Sequence, residues 1–141
     1  MPIAHFHLVR DRYSTGRIGA LLTQASKVYS EILDSPIDRV RAFAHLYDDE
    51  LVAVAGELVS AGGTPAPFFT AYVLAGRPRE QRDRLLAGLT DAIVEILETP
   101  REVVRGQIIQ LDPEDWGIGG LPAAGVRADE IAGRAASGST S

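Results

Sequence analysis

The apolar positions of this chain change period several times, and each change predicts an element. Ile3 to Val9 is rich in β-forming residues (Ile3, Phe6, Leu8, Val9) and predicts a strand. Ser14 and Thr15 then offer N-caps. After them Ile18, Leu21, Leu22, Ala25, Val28, Tyr29, Ile32 and Leu33 recur at helical spacing until Pro36 ends the run. Val40 to Leu46 predicts a second strand. Leu51 to Val59 predicts either a third strand or a continuation beyond the Asp48-Asp49-Glu50 turn. Ser60 to Pro67, dense in Gly and Pro, predicts a linker. Phe68 to Ala75 predicts another strand, closed by Gly76, and Pro78 suits the first turn of a helix. That helix carries Leu85, Leu86, Leu89, Ala92, Ile93, Ile96 and Leu97 on one face, with Arg79, Glu80, Arg82, Asp83 and Arg84 solvated at its start. Pro100 ends it, and Val103 to Leu111 predicts a further strand. From Arg127 onward the chain predicts a flexible tail ending in SGSTS.

These elements form a repeat. Pro2 and Arg12 correspond to Pro67 and Arg77 at equal separation. Leu33-Asp34-Ser35-Pro36, leading to Val40-Arg41, corresponds to Leu97-Glu98-Thr99-Pro100, leading to Val104-Arg105. Each half reads as strand, helix, strand, with a crossover long enough to make its strands parallel. A first βαβ unit over residues 2–59, a linker over 60–67, a second unit with a C-terminal hairpin over 68–126 and a tail over 127–141 make one structural domain. The predicted fold is α/β: a four-stranded sheet with two helices on one face. The other sheet face needs cover, which points to self-association.

Composition narrows the function classes. The 141 residues suit one domain. The absence of cysteine excludes a disulfide framework, a cysteine nucleophile and a zinc-thiolate site. A net charge of -5 offers no basic field for nucleic acid. No apolar run approaches the roughly 20 residues that span a bilayer, and the start lacks a signal-peptide pattern. A soluble cytoplasmic protein, with no nucleic-acid or membrane partner, is expected.

Pro2, the short strand after it, an Arg ten residues later and a Val-Arg strand behind a helix ending in Pro form a recognisable set. The chain resembles the tautomerase superfamily, typified by 4-oxalocrotonate tautomerase. MPIAHFHLV is similar to that family's opening, and GRPREQRDRLLAGLTDAIVEILETPREVVRGQIIQLDPEDWGIGG to its helix, second strand and terminal hairpin. Length and duplication resemble the fused members, which include malonate semialdehyde decarboxylase and cis-3-chloroacrylic acid dehalogenase. The resemblance implies a β-α-β fold of the tautomerase type, a homotrimer, no cofactor and no metal. The implied activity is isomerisation of a small 2-oxo or unsaturated carboxylic acid. Hydration, dehalogenation or decarboxylation of such an acid is the alternative, and an idle trimeric scaffold a second one.

Removal of Met1, the usual fate of Met before a small residue, would leave Pro2 with a secondary amine. An ordinary α-amino group titrates near pH ~8, and nearby arginines in a desolvated site lower that value, so the amine is a candidate general base. Pro67 is an amide inside the chain and cannot do the same. Arg77, at the end of a strand and before a helix, is placed to hold a substrate carboxylate through its planar fork. Arg12 is its repeat partner. Arg41 and Arg105 match the family's electron-withdrawing arginine, which would stabilise an enolate. Trp116, in DWGIGG, takes the place of the aromatic that makes the family's pocket apolar. Asp115 aligns with the dehalogenase's water-activating carboxylate, and Glu114 lies beside it, although a solvated turn accounts for both. The chain departs from the specialised members at Asp38, one residue out of register with the decarboxylase's acid. It departs again at Ala75, in place of a second arginine, and at Tyr29, in place of a histidine. His5, His7 and His45 read as packing or edge residues.

Overall fold

The computed structural model describes residues 2–139, with side chains through Arg134. Its elements run β1 (Ile3–Val9), α1 (Thr15–Leu33), β2 (Arg41–Tyr47), β3 (Ala53–Val54), β4 (Glu57–Leu58), β5 (Phe68–Leu74), α2 (Arg79–Leu97), β6 (Arg105–Leu111), β7 (Gly117–Ile118), β8 (Leu121–Pro122), α3 (Ala123–Val126) and α4 (Ala128–Ser139). The main sheet has the order β2-β1-β5-β6. β1 is parallel to β2 and β5 parallel to β6, while β1 and β5 join the units antiparallel, with Ile3 opposite Tyr72 and His7 opposite Phe68. The duplicated βαβ architecture is therefore present as expected.

The core lies between one sheet face and the two long helices. Ala4, Phe6 and Leu8 alternate inward on β1, as do Phe69, Ala71 and Val73 on β5. They meet Leu21, Ala25, Tyr29 and Leu33 of α1 and Leu85, Leu89, Ile93 and Leu97 of α2. The helices approach closely at Gly88, where a Cβ would stand 2.8 Å from Val28 Cγ1. Both end alike, on Asp34 and Glu98 in the left-handed region, followed by the prolines that bar continuation.

Two expectations are corrected. Leu51 to Val59 is neither a third strand of the main sheet nor a continuation of β2. A 3₁₀ turn over Asp49–Leu51 leads into the small β3–β4 hairpin, whose turn residues Ala55 and Gly56 both have positive φ. It is the repeat twin of the β7–β8 hairpin, as matching backbone bonds show: Val59 N to Val52 O at 2.9 Å, and Ala123 N to Trp116 O at 2.8 Å. Of the segment 127–141 expected as a flexible tail, residues Ala128–Ser139 form α4 and 140–141 lie outside the described residues; Glu130 and Arg134 stand one turn apart on α4, just after Arg127.

The sheet face away from the helices carries a band of rings. His5 stacks on Phe43, and His7 lies between His45 and Phe68. His5 Nδ1 is 2.7 Å from His45 Nε2, and His7 Nδ1 is 2.6 Å from the Tyr47 hydroxyl. Phe43, Tyr47 and Phe68 remain substantially exposed there. No helix among the described residues is long and apolar enough to cross a membrane.

Candidate active site

The antiparallel junction decides which predicted residues meet. Pro2 precedes β1, so it stands beside the last residues of β5, and the chain leaving β5 brings Arg77 to it. Pro2 is buried and lines a small cavity with Leu33, Tyr72, Val73, Leu74, Arg77 and Arg134. Its free volume, about 10 Å³, is room for roughly one water. Beyond Arg77 and Arg134 lies a cavity of about 730 Å³ that also reaches Asp34, Ser35, Arg39, Gln81 and Glu130. Arg39 separates it from a third cavity, of about 540 Å³, lined by Ile3, Asp38, Arg41, Trp116 and Arg127. Arg41 reaches this end because β2 runs parallel to β1 in register Ile3 to Arg41, and its N–H donates to the Pro2 carbonyl at 3.0 Å.

Beneath Pro2, the buried Tyr29 hydroxyl donates to the Tyr72 carbonyl and lies 3.3 Å from that of Ile3. Burial pushes this phenol far above its ordinary range, so it remains a neutral tie between the two units. Arg77 is buried, and its Nη1 donates to the Leu33 carbonyl at the end of α1. Burial, reinforced by the like charge of Arg134, lowers its pKa to about 10. It stays a cation at neutral pH. Among the described residues no carboxylate pairs with it directly. A buried guanidinium with spare donors is suited to an incoming carboxylate.

Comparison with known proteins supplies the family. A model of the family described as tautomerase enzyme matches residues 67–124. The 2-hydroxymuconate tautomerase of Pseudomonas sp. (strain CF600) is 36% identical over 61 residues, which are 43% of this chain and 97% of that protein. The chain belongs to the tautomerase family. A solved native fused 4-OT superposes with a TM-score of 0.84 at 24% identity, covering 89% of this chain and 98% of the other. A fused 4-OT solved as a wild-type symmetric trimer gives 0.79 at 27%, covering 86% and 98%. The fold of this tautomerase is thus that of the fused long form, and its relatives support an isomerase activity of the tautomerase kind.

The same topology moves two expected residues away from Pro2. Arg12 follows β1 and Arg105 opens β6, so within one chain both stand at the far end of the sheet, beside Pro67 and roughly 20 Å away at the rise of an extended strand. Arg105 N donates to the Pro67 carbonyl at 3.1 Å, as Arg41 does to Pro2. There Arg12 pairs with Asp49 at 3.1 Å, Arg10 pairs with Asp48 at 2.9 Å, and the exposed Arg105 guanidinium turns back on the Glu102 and Val104 carbonyls. Glu114 and Asp115 are exposed in a 3₁₀ turn, where the Asp112 carboxylate accepts from Glu114 N, and neither lines the three cavities around Pro2.

In their place the tautomerase assembles Arg39, Arg127, Glu130 and Arg134. Arg39 follows Asp38 in a turn, which hides it from any strand pattern. Glu130 and Arg134 stand one turn apart on α4, and Arg127 immediately precedes that helix. Their spacing is the signal by which the sequence reveals them, obscured by the small polar residues that follow.

Proposed function

We propose that this chain is a tautomerase using the amine of Pro2, freed by loss of Met1, to move a proton between oxygen and carbon of a small 2-oxo or unsaturated carboxylic acid. The observation that carries the reading is the meeting of Pro2 with the buried Arg77, which among the described residues has no carboxylate partner. The burial and neighbouring guanidinium charge that lower the Arg77 pKa would equally favour a neutral, basic Pro2 amine. Arg77 would take the substrate carboxylate in a two-point grip, fixing the reacting carbon over the amine. Arg39 or Arg41 would face the enolate oxygen as charge develops on it. Trp116, half-buried beside Arg41, would form the apolar wall. The exposed ring-bearing sheet face supports a homotrimer in which copies of this chain cover one another.

The test begins with mass spectrometry of the N-terminus, followed by turnover of a panel of enol acids. Protein starting at Pro2 should ketonise them, with an amine titrating below pH ~8. Turnover by protein that keeps Met1, or an amine of ordinary pKa, would end this reading.

A second reading has one observation in its favour. Asp38 faces the cavity of Arg41 and Trp116, where a carboxylate could activate water for addition or assist decarboxylation. Turnover of a 3-haloacrylate or a 3-oxo acid that disappears in Asp38→Asn would select it.

A further inference from the structure

None of the four strands of the main sheet contains an Asp or a Glu. In a chain of net charge -5, the face turned away from the helices thus draws no carboxylate from its own strands. By strand alternation and register, the histidines on it are His5 and His7 of β1 and His45 of β2. The other titratable or charged groups there are Arg41 and Tyr47 of β2, Tyr72 of β5 and Arg105 of β6. Acids stand only before and after the strands: Asp38 and Asp48 flank β2, Glu102 and Asp112 flank β6. Asp48 is already engaged by Arg10 at 2.9 Å, and Asp112 by the Glu114 N–H. Among side chains of these types, imidazole is the one that changes charge between pH 5 and 8.

The three imidazoles pack on one another. His5 Nδ1 lies 2.7 Å from His45 Nε2, and the His7 ring stacks on the His45 ring with centroids 4.8 Å apart. A bond between two imidazole nitrogens needs one donor and one acceptor. The pair accommodates one added proton. A second makes both nitrogens donors, and charge on the stacked His7 ring adds to the repulsion. Partial burial, followed by the charge of His45, already holds His5 and His7 below the usual imidazole value in the single chain. Covering the face deepens that burial, and the strands offer no carboxylate to neutralise a buried imidazolium.

Phe43, Tyr47 and Phe68 leave ring surface open across the same face. We propose that this face is the contact between copies of the chain and that protons gate it: the copies hold together while His5, His7 and His45 are neutral and part as these rings gain charge. The inference rests on the homotrimer proposed for this chain and adds what regulates it. It does not depend on Pro2 being the base. The sign follows from linkage, since separated chains bind more protons than assembled ones. Association is complete above pH ~6.5 and weakens below it, by about tenfold at pH 5.5 for each imidazole that assembly keeps neutral.

Sedimentation velocity on the whole chain, over a concentration series at pH 7.5 and 5.5, reads the association constant, and far-UV circular dichroism reads the fold. Trimers should form at pH 7.5, loosen by about tenfold or more at pH 5.5, and return on neutralisation. The double variant His5→Gln with His45→Gln keeps a polar side chain at each position and removes the titrating pair, so it should lose most of that pH dependence. His45→Lys carries a fixed charge and should associate about tenfold more weakly than the parent at pH 7.5, with the parent's circular dichroism. Both positions lie outside the core, and either variant alone decides the matter. Trimers equally tight at both pH values, a double variant as acid-sensitive as the parent, or His45→Lys associating as tightly as the parent at pH 7.5 would each overturn the gate and leave the homotrimer standing. A folded parent chain that is monomeric at pH 7.5 would remove the homotrimer and the gate together.

Discussion

The two ends of the sheet are repeats of one another, and they have opposite chemistry. At each end a proline precedes a strand and accepts a bond from the arginine that opens the neighbouring strand, and the antiparallel junction carries an arginine of the other unit to the same end of the sheet. At the Pro2 end that arriving arginine is Arg77, buried and, among the described residues, without a carboxylate partner. At the Pro67 end it is Arg12, exposed and paired with Asp49. Arg39 has Val103 as its counterpart, and Trp116 has Val52. Duplication supplied two copies of one frame, and a few side chains decide which copy presents the proposed binding site. The frame alone does not make one.

Four measurements break or sharpen this comparison. The largest effect is expected from the prolines: Pro2→Ala should lower kcat/KM on an enol acid by roughly 10² or more, the scale of a lost general base, while Pro67→Ala leaves it within about twofold. Comparable losses from both would mean that the ends are functionally equivalent. Next come the arginines. Arg77→Ala should cost about 2–4 kcal/mol of transition-state binding, read as kcat/KM, since two charge-assisted bonds are lost. Arg12→Ala should leave activity near its starting value and change unfolding free energy by less than ~1 kcal/mol, as expected for an exposed pair. A large activity loss in Arg12→Ala would place Arg12 at a Pro2 site of a neighbouring copy.

The third measurement concerns how the halves fill the same volume. In the first, Ala4 lies beside Ala42. In the second, Phe69 lies beside Gly106, and a Cβ there would meet the Phe69 ring at 2.2 Å. Gly106→Ala should therefore destabilise by about 1–3 kcal/mol in denaturant titration. An unchanged midpoint would show that the ring moves aside freely.

The smallest effect is expected from the histidines, which β1 carries where β5 has Thr70 and Tyr72. Partial burial and the charge of His45 hold His5 and His7 below the usual imidazole value. The unfolded chain then binds protons first as pH falls, so stability contributed by these rings is complete above pH ~6.5 and declines below it. The melting temperature should drop between pH 7 and 5, and His5→Thr, which copies the second unit, should reduce that drop. A drop of the same size in both would clear His5 of this part.

Much of this was legible in the chain itself, and the reason differs from element to element. The βαβ repeat can be read because apolar period and proline punctuation are local properties that survive in both copies. Pro2 and Arg77 can be paired only with the antiparallel β1–β5 junction in hand. Without that direction, Arg12 and Arg105 are equally good candidates by type and spacing. The β3–β4 hairpin escapes because its turn begins at Ala55, whose positive φ its residue type does not announce. Helix α4 escapes because small polar residues dominate its end, while its ordering contact, Glu130 to Arg39, spans 91 positions. Long-range ion pairs of that kind leave no trace in local pattern.

The junction between β1 and β5 has one more consequence. Because Pro2 belongs to the first unit and Arg77 to the second, neither unit holds both residues of the proposed site, and a separate unit would need a second molecule to bring them together. The linker removes that dependence on dilution, since a short tether keeps its two ends at an effective concentration on the order of millimolar. A chain cut between residues 60 and 67 should regain the site only when both pieces are mixed, with an activity that rises with their concentration. Tethering also frees the copies from identity. A difference such as Arg39 against Val103 reaches one end alone, so the Pro67 end can pair Arg12 with Asp49 while the Pro2 end keeps Arg77 buried and, among the described residues, without a carboxylate partner.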